Sequence, residues 1–310
     1  MNFYDALAKN AKPVEIAPTS TSYFSQPSAG LDPRLFVDNK LIGSVRNNVL
    51  GILFEHLKNH YYNPQGYIYV WIAGSGVSYQ WAAQRLPGDL DCLIGVDYLK
   101  FRQANPQYRG LSDQEIADMF NEDFRNELWP QTSNYLGAFE LTFYVNAQTD
   151  ISKIKPYAAY SLTDDNWTVE PQEVTVPITK DWEHKVTRDK NRGVEILTRY
   201  SDALEKIGGA KNEAMRINAE STLKLAVDQA SALFEEIHHG RKSAFSQSGM
   251  GYIDYANYRW QAGKASGLIT ALRALKELSD KTKKEFEEQT YGMELPSAKT
   301  LVRRASLYKN

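Results

Sequence analysis

The stretch that decides the fold spans residues 67–96 and reads YIYVWIAGSGVSYQWAAQRLPGDLDCLIGV. Its first part, Tyr67–Ala73, is a short apolar run rich in β-branched and aromatic residues, which predicts a buried strand. A turn at Gly74 and Ser75 follows at once. Asp89–Val96 is again apolar except for two acids, and it predicts a second strand.

Helical spacing of apolar residues fills the gap between these strands, over Val77–Leu86. A Gly-Ser turn lets the backbone approach a phosphate closely, because glycine has no side chain in the way. The hydroxyl of Ser75 and the first amides of the following helix could then bind that phosphate. The turn is therefore a candidate phosphate-binding element.

Acidic residues mark the second strand and a later one. Asp89 and Asp91 are two residues apart, so a strand places both carboxylates on one face. A third strand is predicted over Ala138–Val145, and it carries Glu140. Three carboxylates on neighbouring strands are a suitable ligand set for hard divalent cations, which prefer oxygen ligands. The spacing therefore predicts a two-metal site.

The chain as a whole is expected to be α+β. Residues 1–33 are polar and rich in proline, which favours an irregular N-terminal arm. Residues 34–178 mix helical and strand patterns. After Asp181 the strand signals vanish and long helical periods replace them. We therefore predict a mixed sheet with flanking helices at 34–178 and an all-helical second domain at 179–310.

Single elements follow from the same patterns. Asp32 and Pro33 form a helix start signal, and apolar spacings of three and four predict a helix from there to about Tyr61. Ser112 and Glu115 form a capping-box pattern for a helix over 112–129. Further strands are predicted at 158–169 and 173–178, and further helices at 193–207, 211–239 and 255–288.

Composition excludes several classes of protein. The chain has 310 residues, of which 42% are hydrophobic, so it can form a sizeable core. No apolar run is long enough to cross a bilayer, and the N-terminus lacks the pattern of a secretory signal. Cys92 is the single cysteine, which excludes an internal disulfide and fits a reducing compartment. We therefore expect a cytoplasmic protein without a membrane partner.

The net charge of −2 hides an uneven distribution, because acids predominate in residues 1–150 and bases in residues 151–310. Such a distribution suits a metal centre beside a surface that binds polyanions. The imbalance is small, and chance composition explains it equally well.

This constellation resembles the DNA polymerase β-like nucleotidyltransferase superfamily. The superfamily has a Gly-Ser turn after a strand, an acid-x-acid strand and a third acid in a later strand. The matching positions are Gly74, Ser75, Asp89, Asp91 and Glu140. The resemblance covers residues 34–178, and the helical half looks like that of the poly(A) polymerase, CCA-adding and oligoadenylate synthetase branches.

The resemblance implies a nucleotidyltransferase-type mixed sheet, a nucleotide cleft between the two domains, two Mg²⁺ ions (Mn²⁺ being possible) and a nucleoside triphosphate. By the same resemblance, Asp89 and Asp91 bind both metal ions. Glu140 binds the catalytic ion and helps to deprotonate the acceptor hydroxyl, although the superfamily more often has aspartate there. Gly74 and Ser75 hold the triphosphate. Taken singly, each feature also fits an ordinary turn or a solvated strand acid.

The helical half adds candidate nucleotide-binding residues. Residues 238–264 mix cations with aromatic side chains around a Gly/Ser loop, and a second basic stretch follows residue 179. Cations bind phosphates and aromatic faces stack on bases. Equally, the aromatic side chains of this loop could pack against the catalytic domain. The residues predicted to bind nucleotide are Lys180, Lys185, Arg241, Tyr252 and Lys264.

The acceptor of the transferred nucleotide is open at this point. An RNA 3′ end, such as that of tRNA, is the first expectation, from the basic helical half. A small molecule, a protein hydroxyl, or synthesis of an oligonucleotide second messenger are alternatives. A different class also fits the sequence, namely a catalytically inactive nucleotide- or RNA-binding module.

Overall fold

The computed structural model describes residues 2–18, 28–81, 88–145, 151, 154–173 and 175–292. The chain divides into two compact units. The helical unit comprises Met1–Ser20, Val176–Ala244 and Ile253–Pro296, and the sheet unit comprises Thr21–Thr175, Phe245–Tyr252 and Ser297–Asn310. The protein is thus a mixed α+β chain with a helical C-terminal region.

The described strands are β1 (Phe36–Val37), β2 (Lys40–Leu41), β3 (Ile68–Ala73), β4 (Gly88–Val96), β5 (Phe139–Val145), β6 (Ala159–Ser161) and β7 (Asn166–Val169). The described α-helices are α1 (Phe3–Asn10), α2 (Gly43–His60), α3 (Tyr98–Ala104), α4 (Asp113–Asp123), α5 (Trp129–Thr132), α6 (Lys180–Gly208), α7 (Glu213–Ala244), α8 (Tyr255–Ala265) and α9 (Leu268–Tyr291).

A five-stranded mixed sheet organises the sheet unit, in the order β5-β4-β3-β6-β7. Strands β4 and β5 run parallel, and the other neighbouring pairs are antiparallel. The three main strands lie where their apolar runs predict them. Leu90, Cys92 and Ile94 of β4 are at most 1% exposed, and they join Val49 and Leu53 of α2 in one apolar cluster. Burial of this face holds the strands in register.

The helix expected from Pro33 begins only at Gly43, so that part of the prediction is wrong. Strands β1 and β2 form a two-residue hairpin instead, with Phe36 opposite Leu41. Its turn residues Asp38 and Asn39 have φ values of 51° and 60°. Aspartate and asparagine accept this left-handed conformation better than most residues, and it is the one that tight hairpin turns need.

The start signal at Asp32 has a different use. The buried Asp32 carboxylate accepts hydrogen bonds from the Arg34 backbone N–H (2.9 Å) and from the Arg34 guanidinium (2.6 Å to Nη2). The side chain therefore closes a local turn and caps no helix.

The N-terminal arm contains a helix where an irregular chain was expected. Helix α1 has a complete capping box between Asn2 and Asp5. Leu7 is 1% exposed within the core of the helical unit, and Tyr200 of α6 donates a hydrogen bond to the Lys12 carbonyl (2.8 Å). The packing of this amphipathic segment on the long helices outweighs its polar composition. The part of the arm at 19–27 lies outside the described residues.

A widened helical turn lies between α4 and α5. The capping box of Ser112 and Glu115 at the start of α4 is confirmed. After Asp123 the chain forms a π-helix over Phe124–Leu128, in which the Trp129 N–H donates to the Phe124 carbonyl. Pro130 has no N–H with which to continue a regular ladder, which is a physical reason for the irregularity.

Helices α6 and α7 are longer than the sequence patterns predicted, and the last predicted helix is divided into α8 and α9. Helix α6 begins at Lys180, capped by the Thr179 side chain, and α7 continues to Ala244. The single helix expected over 255–288 is two helices, because Gly267 adopts a left-handed φ of 80° between α8 and α9. A strand was expected at 173–178, but the described residues of that range form none. Pro177 has no backbone N–H to donate to a neighbouring strand, which disfavours pairing there.

Among the helices that the structure describes, none combines the length and the apolar character needed to cross a bilayer.

Candidate functional site

Strand register brings the three predicted acids to one face of the sheet. In the parallel pair of β4 and β5, Asp89 is directly opposite Glu140, and Asp91 is directly opposite Thr142. Directly paired residues point to the same face, and alternate residues of a strand share a face. Asp89, Asp91 and Glu140 therefore line the sheet face opposite to the buried face of Leu90.

The Gly74 turn lies beside the Asp91 carboxylate. Strand β3 pairs antiparallel with β4 so that Ala73 is opposite Asp91. Gly74 has a φ of 94°, and a Cβ atom there would lie 3.2 Å from Asp91 Oδ2. Glycine thus allows both the backbone conformation and the close approach of the carboxylate. The structure brings together Gly74, Asp89, Asp91 and Glu140.

Two neutral donors orient these carboxylates. Thr142 Oγ1 donates a hydrogen bond to Asp91 Oδ1 (3.1 Å), and Trp129 Nε1 donates one to Glu140 Oε1 (3.2 Å). An ionised carboxylate has about four acceptor sites, so one such hydrogen bond is compatible with a bond to a cation at the same carboxylate. The arrangement could hold hard divalent ions at an accessible edge of the sheet.

The three carboxylates are spread more widely than the ligands of a single ion. Among the described residues, the one group of three metal-ligating side chains with ligand atoms within 4.8 Å of one another lies elsewhere, at His56, His60 and Glu127. A pair of ions about 3.5–4 Å apart needs a wider ligand set than one ion does. The acids are therefore spaced more widely than the ligands of one ion, as a site for two ions would require.

The helix expected directly after the turn differs in the structure. Ser75–Val77 is a short 3₁₀ turn, and Ser78 is extended, so no α-helix starts within residues 75–81. The Ser78 hydroxyl donates to the Ser75 carbonyl (3.0 Å), which closes the turn locally. The rest of the expected helix, at 82–87, lies outside the described residues. A helix dipole aimed at a phosphate finds no support in the described part.

Cys92 directly follows Asp91 in the sequence, but its side chain is buried in the core, as expected for a strand thiol. Burial, with a further contribution from Asp91, raises the pKa of this thiol well above its usual range. Cys92 is accordingly an inert core residue and not a nucleophile.

The predicted basic nucleotide ligands lie in the helical unit, where Lys185 and Arg241 contact neighbouring side chains. Lys185 forms an ion pair with Asp181 (2.6 Å) and lies over the ring of Tyr255 (5.3 Å). Arg241 lies over the ring of Trp260 (5.2 Å). Lys180 is exposed at the start of α6, and Lys264 is half-buried in the last turn of α8.

Tyr252 lies in the sheet unit and is packed. Its side chain is 9% exposed and contacts Tyr157 edge-to-face, with ring centroids 4.6 Å apart. Tyr157 also contacts Phe245 (5.3 Å), and the Lys155 ammonium donates to the Gly249 carbonyl (2.6 Å). The aromatic side chains of this loop pack within the sheet unit, as the alternative to nucleotide binding expected. Little of the Tyr252 ring is therefore available for stacking on a base.

A second cluster of metal-ligating side chains lies on α2 and the π-helical turn, outside the residues predicted from the sequence. His56 and His60 lie one turn apart on α2, with ring centroids 4.6 Å apart, and His60 Nε2 is 3.1 Å from Glu127 Oε2. Burial, reinforced by the nearby His60, lowers the pKa of His56, which favours its neutral form. The spacing of four residues between the histidines was the available signal. No sequence pattern marked Glu127, because it is distant from the two histidines in the sequence.

No protein-family model, no curated protein and no solved structure matches this chain. Both candidate sites therefore stand on the geometry of the chain itself.

Proposed function

We propose that the sheet unit catalyses divalent-metal-dependent nucleotidyl transfer, from a nucleoside triphosphate to an acceptor hydroxyl. The observation that carries the proposal is the register of β4 and β5. It places Asp89, Asp91 and Glu140 on one accessible face, with the Gly74 turn against the Asp91 carboxylate. Phosphoryl transfer depends mainly on positioning and charge neutralisation, which such a face can supply.

Each residue has a distinct part in the proposed reaction. Asp89 and Asp91 would hold two Mg²⁺ ions, and Glu140 would complete the set. These ions would neutralise charge on the phosphates. Glu140 would accept the acceptor's proton. The acceptor oxygen then bonds to the α-phosphorus, the bond from the α-phosphorus to its bridging oxygen breaks, and pyrophosphate leaves.

Side chains beside the acids support their positions. The hydrogen bonds from Thr142 and Trp129 restrict the rotamers of Asp91 and Glu140. Restricting ligand side chains before the ions bind lowers the entropic cost of forming the site.

For the acceptor we propose an RNA 3′ end. The support is the first three turns of α6, where the exposed Lys180, Arg188 and Lys190 outnumber the exposed acids Asp181 and Glu183. Such a surface attracts a polyanion in a salt-dependent manner. The proposal for RNA is separable from that for nucleotidyl transfer, since the carboxylate face could serve other acceptors.

The test is transfer of α-³²P-labelled nucleoside monophosphate by the full chain, with each triphosphate, Mg²⁺ or Mn²⁺, and total RNA. The variant Asp89→Asn/Asp91→Asn should lose at least about 100-fold in rate, because two metal ligands are neutralised. The matched control is Asp38→Asn/Glu55→Gln, which removes two exposed carboxylates from the same unit. Asparagine accepts the left-handed conformation of residue 38.

A labelled RNA band supports the whole proposal. A labelled small molecule or labelled protein supports transfer and overturns the RNA acceptor. Equal transfer by the Asp89→Asn/Asp91→Asn variant and the control, or nucleotide binding without turnover under every condition, overturns the enzyme.

A further inference from the structure

We propose that His56, His60 and Glu127 form a binding site for one borderline transition-metal ion of the Zn²⁺ class. The proposal is independent of the nucleotidyltransferase proposal, since it uses other residues and another metal. Its first support is position: one ligand atom from each side chain lies within 4.8 Å of the other two.

Helix α2 supplies a preformed half of the site. Residues four apart project from the same side of a helix, so His56 and His60 face the same neighbour. The distance of 3.1 Å from His60 Nε2 to Glu127 Oε2 is close to the separation of two ligand atoms on one tetrahedral ion. The His56 side chain must shift by roughly 1–1.5 Å to reach the same ion, because Zn–N bonds are about 2.0–2.1 Å long.

The buried nitrogen of His56 points independently to a ligand. His56 is 8% exposed, and its Nε2 atom has no hydrogen-bond partner among the described residues. A buried polar atom without a partner costs about 1–3 kcal/mol, so native structures rarely leave one unsatisfied. Coordination of a metal ion by this nitrogen would remove that cost.

Glu127 reaches the histidines from a π-helical turn. The turn Phe124–Leu128 separates α4 from α5, and such single turns occur frequently at functional sites. Phe124 packs on the His56 ring, with centroids 5.8 Å apart, and fixes the turn against α2. Asp123, directly before the turn, accepts a hydrogen bond from the Tyr61 hydroxyl. Two carboxylates near the histidines suit a divalent cation.

The donor set selects the class of metal. Two imidazole nitrogens and one carboxylate suit Zn²⁺, Ni²⁺ or Co²⁺, whereas Mg²⁺ and Ca²⁺ prefer oxygen ligands alone. The His60 and Glu127 side chains are 33% and 51% exposed. The ion would therefore have three protein ligands and one position open to water or to a small ligand, as in open zinc sites.

The experiment uses the full chain without an affinity tag, freed of metal by chelation, and titrates it with Zn²⁺ against a chromophoric competitor. Co²⁺ replaces Zn²⁺ in a parallel titration, because its visible spectrum reports coordination by nitrogen ligands. Test variants are His60→Gln and Glu127→Gln, whose exposed side chains can change without opening the core. The matched control is His184→Gln/His239→Gln, which removes two exposed histidines of the helical unit.

The expected result is one Zn²⁺ per chain in the unmodified protein and in the control. Each test variant should bind at least about 10-fold more weakly and lose the tetrahedral Co²⁺ spectrum. The variant Asp89→Asn/Asp91→Asn should retain the Zn²⁺ affinity, and excess Mg²⁺ should not displace the ion. Equal affinity in test variants and control, loss of affinity in the aspartate variant, or absence of stoichiometric Zn²⁺ binding overturns the proposal.

Discussion

Replacing Gly74 by alanine tests the geometry of the carboxylate face most directly. Gly74 has φ 94° and ψ −161°, a region that residues with a side chain rarely adopt. Forcing alanine into that region costs about 1–3 kcal/mol. The new Cβ would lie 3.2 Å from Asp91 Oδ2, which is tight but can be relieved by a shift of that flexible side chain. The backbone therefore dominates the loss of stability.

We expect the free energy of unfolding of Gly74→Ala to fall by about 1–3 kcal/mol, measured by urea denaturation with tryptophan fluorescence. The matched control is Gly51→Ala in α2, where a Cβ meets no atom within 4 Å. An alanine inside a helix should raise stability by about 0.5–1 kcal/mol. The same chemical change should thus have opposite signs at the two positions.

The displaced Asp91 carboxylate adds a second readout. If Asp91 binds a metal ion, Gly74→Ala should also raise the Mg²⁺ concentration needed for half-maximal nucleotidyl transfer. Gly51→Ala should leave that concentration unchanged. A Gly74→Ala protein as stable as the unmodified chain would refute the strained turn.

Two further predictions concern single contacts. Trp129→Phe removes the donor to Glu140 Oε1 but keeps an aromatic ring, so the rate of transfer should fall roughly five-fold with little change in unfolding free energy. In the helical unit, burial would raise the pKa of Glu236, but hydrogen bonds from Arg259 and Arg192 outweigh it and hold the pKa below its usual value. This contribution to stability is therefore present above the usual glutamate pKa of about 4.3 and is lost as the pH falls through the folded-state value. The difference in unfolding free energy between the unmodified chain and Glu236→Gln should shrink over that acid range, in denaturation curves taken at successive pH values, and a constant difference would contradict the assignment.

The sheet was largely predictable because its signals are local. Residues 68–73, 88–96 and 139–145 alternate or run continuously apolar, and burial of one face enforces that pattern. The hairpin of β1 and β2 was missed because Val37 and Leu41, four residues apart, also fit helical spacing. The pair Asp38-Asn39, suited to left-handed turn positions, was the competing signal.

The candidate site was predictable only in part. Alternation predicts that Asp89 and Asp91 share a face, but the parallel register that adds Glu140 depends on long-range pairing. The partners Trp129 and Thr142 depend on the same pairing. The cluster around His56 needs two segments that are remote in sequence to meet through packing of α2 on the π-helical turn, and no local pattern reports such a meeting.

The π-helical turn contributes to both candidate sites at once. It presents Glu127 toward His60, and directly after it Trp129 reaches Glu140. The turn holds one residue more than an α-helical turn, and each helical residue rotates the chain by about 100°. Deleting Asn126 would let α4 continue regularly into α5, and the indole would then leave its carboxylate while Glu127 left the histidine. One extra amino acid thus sets the rotational phase of two remote polar clusters.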